Sequence, residues 1–432
     1  MFEIKGHDLY VEQIKAADLA AQYGTPLYVL SESSLRSNLS EIKANFMDKY
    51  EHVQAAYASK ALLTSAVVRI VEQEGFHLDV VSGGELYTAR HASFPMAKII
   101  FHGNNKSDEE LQMALDYGVG RIVVDNVGEL HRLAAMAEKA GKTAKILFRI
   151  TPGIKAGTHH YISTGQKDSK FGIALDESII FPAIEFAIQS SAIDFLGFHF
   201  HIGSQLFTND THIAATKVAV SLIKAVKDRY QYDIRELNTG GGYGIKYVEG
   251  DAPKPAAFFT DAIMKSLEEQ CSAEGLLRPT VFIEPGRSIV GEAGITLYKA
   301  GAIKTIPNIR TYVAVDGGMT DNIRPALYQA KYEAIVANHA DAPSDETVTL
   351  CGKCCESGDI LIEHIPMQHI ETGDIIAVFS TGAYTYAMAS HYNKHPNPAV
   401  VLVSGDQSYE IVKRETYEDL VSKDVIPAHL KA

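Results

Sequence analysis

The sequence predicts an α/β chain: an N-terminal (β/α)8 barrel followed by a β-rich domain. Three observations carry this expectation. Short apolar or β-branched runs alternate with helical patterns about eight times between residues 53 and 290. Polar residues fall just after those runs, where a barrel of this type places its chemistry. Beyond about residue 290 the helical pattern nearly vanishes and turn residues space out strand-like runs.

In order, His7-Asp8-Leu9-Tyr10-Val11 reads as a strand, and Asp18 to Tyr23 as a helical turn closed by Gly24 and Pro26. Leu27-Tyr28-Val29-Leu30 is a further strand. Ser31 to Asp48 reads as a helix, because Leu35, Leu39, Ile42 and Phe46 recur at helical spacing. The barrel strands are then Val53–Tyr57, Leu78–Val81, Ile99–Gly103, Arg121–Asp125, Lys145–Ile150, Phe195–His201, Glu236–Thr239 and Thr280–Glu284. Helical segments such as Thr64–Glu74, Gly84–Ala92, Asp108–Tyr117, Val127–Ala140 and His212–Tyr230 separate them. An open doubly wound sheet is the alternative. After the barrel, Ile295–Val315, Thr347–Leu350, Asp374–Phe379 and Ala399–Leu402 are strand-like. The expected domains are 27–290 for the barrel and 291–432 for the β domain, with residues 1–26 joining the latter, since chain ends often lie together.

Composition narrows the function. The chain has 432 residues, of which 46% are hydrophobic, and a net charge of −13. That charge argues against nucleic acid and against anionic membrane surfaces. Met1-Phe2-Glu3-Ile4-Lys5 lacks the basic-then-apolar pattern of a signal peptide, and no run is long enough to span a bilayer. Four cysteines in this length do not make a disulfide framework, so a reduced, cytoplasmic protein is expected.

Several stretches carry chemistry. Lys60, in Tyr57-Ala58-Ser59-Lys60-Ala61, ends a strand among small residues; aimed into a pocket it would be desolvated and nucleophilic. Gly240-Gly241-Gly242 follows a strand, and its backbone could approach a phosphate. Glu284-Pro285-Gly286-Arg287 sets a carboxylate near a guanidinium. His199 and His201 share one face of a strand; no carboxylate follows at ligand spacing, and no metal site is expected. Cys351, Cys354 and Cys355 crowd together, but zinc would need a second pair and only Cys271 is left. A dithiol couple, or one thiol donating a proton beside a carboxylate, are the other readings.

Taken together, Tyr57-Ala58-Ser59-Lys60-Ala61, His199-Phe200-His201-Ile202-Gly203-Ser204-Gln205, Gly240-Gly241-Gly242, Glu284-Pro285-Gly286-Arg287, Arg324-Pro325-Ala326-Leu327-Tyr328, Cys355-Glu356-Ser357-Gly358-Asp359 and Thr381-Gly382-Ala383-Tyr384 resemble the diaminopimelate decarboxylase family. That family belongs to the alanine-racemase-like, fold type III pyridoxal-phosphate enzymes. The resemblance spans nearly the whole chain.

It implies a carboxy-lyase that uses pyridoxal 5'-phosphate to convert meso-2,6-diaminopimelate to L-lysine and carbon dioxide. It implies that Lys60 attaches the cofactor, Glu284 faces its pyridine nitrogen and His201 stacks on its ring. Ser204, Gly241, Gly242, Pro285, Gly286 and Arg287 would hold the phosphate, with Asp79 beside Lys60 and Tyr384 touching both cofactor and substrate. Arg287, Arg324, Tyr328 and Glu356 would bind substrate. Cys355 would return a proton to the α-carbon, reaching the site with Glu356 from a second subunit, so a homodimer with shared active sites is implied. His160-Tyr161-Ile162-Ser163-Thr164-Gly165 and Ser169-Lys170-Phe171-Gly172 resemble the family's loop over the site. Cys351 and Cys354 are extras. Relatives acting on ornithine, arginine or carboxynorspermidine are the alternative; for substrates ending in a cation without a carboxylate, Arg324 would be repulsive.

Overall fold

A computed structural model describes residues 2–154 and 169–431. The chain forms two compact units. One comprises residues 36–245 and 251–289; the other comprises 1–35, 246–250 and 290–432.

The first unit is a closed parallel barrel. Its strands are β1 (Val53–Ala58), β2 (His77–Val80), β3 (Ile99–Phe101), β4 (Arg121–Val124), β5 (Ala144–Thr151), β6 (Ile193–His199), β7 (Glu236–Asn238) and β8 (Thr280–Ile283). Each pairs in parallel with the next, and β8 pairs with β1 to close the ring. Ala56, Ile100, Val123, Leu147, Leu196 and Phe282 come from six of these strands and pack as one buried cluster. Side chains from strands across the ring meet only when they point inward, so this is a filled barrel interior.

Short polar caps start the helices that follow the strands. Thr64, Ser82 and Asn126 each accept a backbone N–H of the first turn, and Ser107 forms a reciprocal capping box with Glu110. The helix expected over Ser31–Asp48 runs from Glu32 to Ile42 and continues as a wider turn, Lys43–Met47.

Lys106 is 2% exposed, an unusual depth for a lysine. Its Nζ lies 2.7 Å from Glu129 Oε1 and donates to the carbonyls of Gly103 and Val123 at 2.8 Å. The amine thus ties the segment after β3 to β4 and to the helix Val127–Lys139.

The second unit is β-rich. Its main sheet runs 360–367, 346–351, 310–315, 294–306, 27–31, 399–404 and 407–412, with 375–378 joined to 294–306 and to 334–336. Strand Leu27–Ser31, read from the sequence as the start of the barrel domain, lies in this sheet. It is antiparallel to Gly294–Ile306 and parallel to Ala399–Ser404. The reason is burial on both faces: all five of its residues are buried, which a central strand requires. Leu9, Val11, Leu19, Val29, Ile295, Leu297, Val401 and Val403 make the core beneath.

Replacing Lys106 with methionine strands the Glu129 carboxylate in an apolar site. The K106M protein is expected to lose about 3–5 kcal/mol, read as a lower urea midpoint. The double variant Lys106→Met/Glu129→Leu is expected to recover most of that loss.

Candidate active site

Most of the expected site residues of the barrel unit stand at the carboxyl ends of its strands. Lys60 lies in the single turn Ser59–Ala61 that follows β1. It is exposed, not desolvated as the sequence suggested. A turn lifts it off the strand end, while Ser59 beside it is buried and donates from its Oγ to Glu85 Oε2 at 2.7 Å. The same carboxylate oxygen accepts the backbone N–H of Val81 at 2.7 Å.

Glu284, just past β8, is the centre of the site. Its Oε1 accepts from His102 Nε2 at 2.8 Å and from Asn238 Nδ2 at 2.6 Å, and its Oε2 accepts from His199 Nε2 at 3.1 Å. A carboxylate only accepts, so both histidines carry a proton on Nε2. Asn238 is oriented in turn, because its Oδ1 accepts the N–H of Gly240 at 2.9 Å. His102 Nε2 is also 3.7 Å from Asp79 Oδ1, and the rings of His102 and His199 meet edge to face at 4.6 Å. All of these side chains are buried. The nitrogens and oxygens of His102, His199 and Glu284 lie within 4.8 Å of one another, close enough for a metal; the hydrogen bonds among them already use that proximity.

Burial would raise the Glu284 carboxyl, but the His102 charge and the hydrogen bonds from His102 and His199 hold it well below the usual carboxylate range. Burial pushes Asp79 up to about 7, aided by Glu284 and opposed by His102 and Lys60. Burial alone would lower His102, yet the flanking Asp79 and Glu284 raise it. His199 drops to about 3, chiefly through burial. His201 is held well below its ordinary value by burial, with Lys60 and Arg149 adding to the effect. Burial thus favours the neutral form of His199 and His201, while the carboxylates beside His102 favour its protonated form.

Beside this cluster the backbone comes very close. A Cβ on Gly241 would sit 2.2 Å from the Glu284 carbonyl oxygen, and one on Gly242 would sit 2.2 Å from that of Gly203. Only glycine fits at either position. His201 Nδ1 faces the N–H of Gly241 at 3.4 Å. Arg287 is buried, and its Nη2 and Nε donate to Ser204 Oγ at 3.0 and 3.3 Å. This strip of Ser204, Gly241, Gly242 and Arg287 offers N–H and O–H groups to an anion. Ser169–Gly172 is anchored nearby in the chain: Gly172 N–H donates to Asp125 Oδ2 at 2.9 Å, and the Arg149 guanidinium lies 4.3 Å above the Phe171 ring. The companion stretch His160–Gly165 lies outside the described residues.

The β-rich unit brings together a second group. Arg324 is 7% exposed and donates from Nε to the Tyr332 hydroxyl at 2.7 Å. Its guanidinium carbon lies 5.6, 5.4 and 5.7 Å from the ring centres of Tyr247, Tyr328 and Tyr384. Aromatic faces hold a cation without neutralising it. Cys355 and Glu356 are exposed and stand apart from this cage within the sequence. Their loop is pinned by buried Asp359, whose carboxylate accepts the N–H groups of Met319 at 2.6 Å and Cys354 at 2.8 Å. Burial and Asp359 raise the Cys354 thiol to about 11. It is therefore protonated at neutral pH and a poor partner for dithiol chemistry.

Sequence reasoning passed over the contributions of His102, Asn238, Glu85, Tyr247 and Tyr332. His102 falls near the end of the predicted strand Ile99–Gly103, which was the available signal. Tyr247 gave none, because it lies far along the chain from the arginine it covers.

Comparison with known proteins closes the identification. Residues 33–291 match the family model described as the pyridoxal-binding domain of pyridoxal-dependent decarboxylases. A diaminopimelate decarboxylase of Bacillus subtilis is 49% identical over 97% of this chain and 95% of its own length. One of Bacillus methanolicus is 49% identical over 95% of each. The crystal structure of a diaminopimelate decarboxylase from M. jannaschii in complex with L-lysine superposes with a TM-score of 0.93, at 35% identity over 100% of this chain and 99% of that one. No described helix is long and apolar enough to cross a membrane. The chain belongs to the pyridoxal-dependent decarboxylases and, within them, to the diaminopimelate decarboxylase family.

Proposed function

We propose that the chain decarboxylates meso-2,6-diaminopimelate to L-lysine and carbon dioxide with pyridoxal 5'-phosphate as cofactor. The observation that carries this reading is its full-length kinship with enzymes that bear that substrate's name. The residues present fit the cofactor. The strand ends supply an exposed amine, a buried anion, glycine backbone at 241 and 242 beside Ser204 and Arg287, and a polar atom, Asp79 Oδ1, that has no hydrogen-bond partner of its own.

Pyridoxal phosphate, when bound, supplies an electron sink for the carbanion that remains after carbon dioxide leaves. Lys60 Nζ is the point of attachment. Glu284 keeps its negative charge and holds a proton on the ring nitrogen, because an opposite charge at close range favours the protonated form. His201, being neutral, can lie against the ring without adding charge. Ser204, Gly241, Gly242, Gly286 and Arg287 would hold the phosphate through N–H and O–H groups, with Pro285, which has no N–H, shaping the backbone between them. Asp79 stands where it feels the Lys60 charge.

On the substrate side, Arg324 recognises a carboxylate through its planar fork, with Tyr328 and Tyr384 shaping the approach. Glu356 takes the distal ammonium, and Arg287 contributes toward the substrate as well as the phosphate. Cys355 Sγ donates the proton that replaces the lost carboxyl group. The exposure of Cys355 and Glu356 on one loop supports their delivery to a neighbouring subunit's site, hence a homodimer. Four free thiols support a reducing, cytoplasmic setting.

The alternative, a decarboxylase of ornithine, arginine or carboxynorspermidine, meets the buried Arg324, which repels a cation-ended substrate. Carbon dioxide release from a panel of these amino acids separates the readings: meso-diaminopimelate is expected to be turned over well ahead of the others, and preference for ornithine or arginine would sink the proposal. Borohydride reduction followed by peptide mass spectrometry is expected to find the cofactor fixed on Lys60.

Arg324→Ala removes one charge-assisted contact worth about 1.5–3 kcal/mol. KM for diaminopimelate should rise by tenfold or more, while cofactor loading stays at the wild-type level. Cys355→Ala should load the cofactor and consume the first substrate molecule, then release product slowly; wild-type turnover would mean that another group donates the proton.

A further inference from the structure

His102 occupies a place that neither its sequence context nor the roles above explain. It follows β3 directly, its backbone N–H donates to the Val80 carbonyl at 2.8 Å, and its Nε2 faces two buried carboxylates. Nε2 donates to Glu284 Oε1 at 2.8 Å and stands 3.7 Å from Asp79 Oδ1. Asp79 lies at the end of the site that carries Lys60, whose charge it feels. One imidazole nitrogen thus faces both the carboxylate that feels Lys60 and the carboxylate proposed to meet the pyridine nitrogen.

We propose that His102 is a positioning residue that holds a proton between Asp79 and Glu284 and so fixes the charge of the carboxylate facing the pyridine nitrogen. This rests on the reading of Glu284 given above. His199 cannot play the part. It faces Glu284 alone among the carboxylates, and burial leaves it neutral. The charged groups around His102 are Asp79 on β2, Arg149 on β5, Glu284 after β8 and Glu85 in the helix Gly83–His91. Asp79 and Glu284 favour a cation at His102, against the opposing effects of burial and Arg149. The imidazolium in turn makes protonation of Glu284 costly. A second donor on the same oxygen, from Asn238, keeps the geometry without adding charge.

A histidine kept only for its N–H could be replaced by glutamine, which also donates but carries no charge. His102→Gln therefore separates the two roles. The readouts are cofactor affinity by equilibrium dialysis and the pH dependence of the bound cofactor's visible absorption. Removing a positive charge makes neighbouring groups take up protons more readily. The pH midpoint of the absorption change should rise by about 1 unit or more, with cofactor affinity little altered. At neutral pH kcat should fall by about tenfold, the factor that one unit represents, with KM nearly unchanged. A midpoint equal to that of the wild type at full cofactor loading would overturn the proposal.

Should the variant fail to fold, side-chain nitrogen chemical shifts of the wild-type chain test the same point. One slowly exchanging, doubly protonated imidazole at neutral pH is expected, and finding every slowly exchanging imidazole neutral would overturn it. Failure of borohydride to fix the cofactor on Lys60 of the wild type would instead defeat the functional reading itself.

Discussion

A single buried carboxylate organises the barrel's mouth. Glu284 lies in a place where an isolated anion would be expensive, and it stays ionised because three N–H donors from three different strand ends converge on its two oxygens. Those donors follow β3, end β6 and end β7. Their meeting requires the ring to be closed and its strands in register. Fold and chemistry are thus one constraint: an error in strand pairing would unpair the buried charge, at a cost of several kcal/mol.

The barrel's architecture was legible in the sequence because the alternation of apolar runs and helical patterns is a local signal that survives without tertiary knowledge. All eight predicted barrel strands overlap observed ones, and the polar residues at their ends face a common mouth. Pairwise meaning was less legible. His102 looks like any polar residue after a short strand until Glu284 arrives from a strand far along the chain. Lys60 was read as desolvated because small neighbours suggest a pocket, yet the turn at Ser59–Ala61 lifts it into the open. The arginine cage shows the same limit. Arg324, Tyr328 and Tyr384 were named from the sequence, whereas Tyr247 comes from a five-residue piece, 246–250, that leaves the barrel's run of sequence to join the other unit.

The two devices proposed to handle anions differ in kind. The strip proposed to hold phosphate combines backbone N–H groups with the buried, hydroxyl-bonded Arg287. The arginine proposed to meet substrate, Arg324, is held by a tyrosine hydroxyl and three aromatic faces, which restrict its position while leaving its charge undiminished. On that reading, fixed donors suit a group that stays bound, and charge kept available suits a substrate that comes and goes.

The placement of strand Leu27–Ser31 has a consequence for how the chain is made. Both of its sheet neighbours, Gly294–Ile306 and Ala399–Ser404, are encoded after the entire barrel. On a ribosome this early strand, buried on both faces in the finished protein, waits about 20 to 70 s for its last partner at ordinary elongation rates. The barrel has all of its own strands before then. The barrel unit can therefore close first, and the main sheet of the other unit is completed only when the nascent chain is nearly finished.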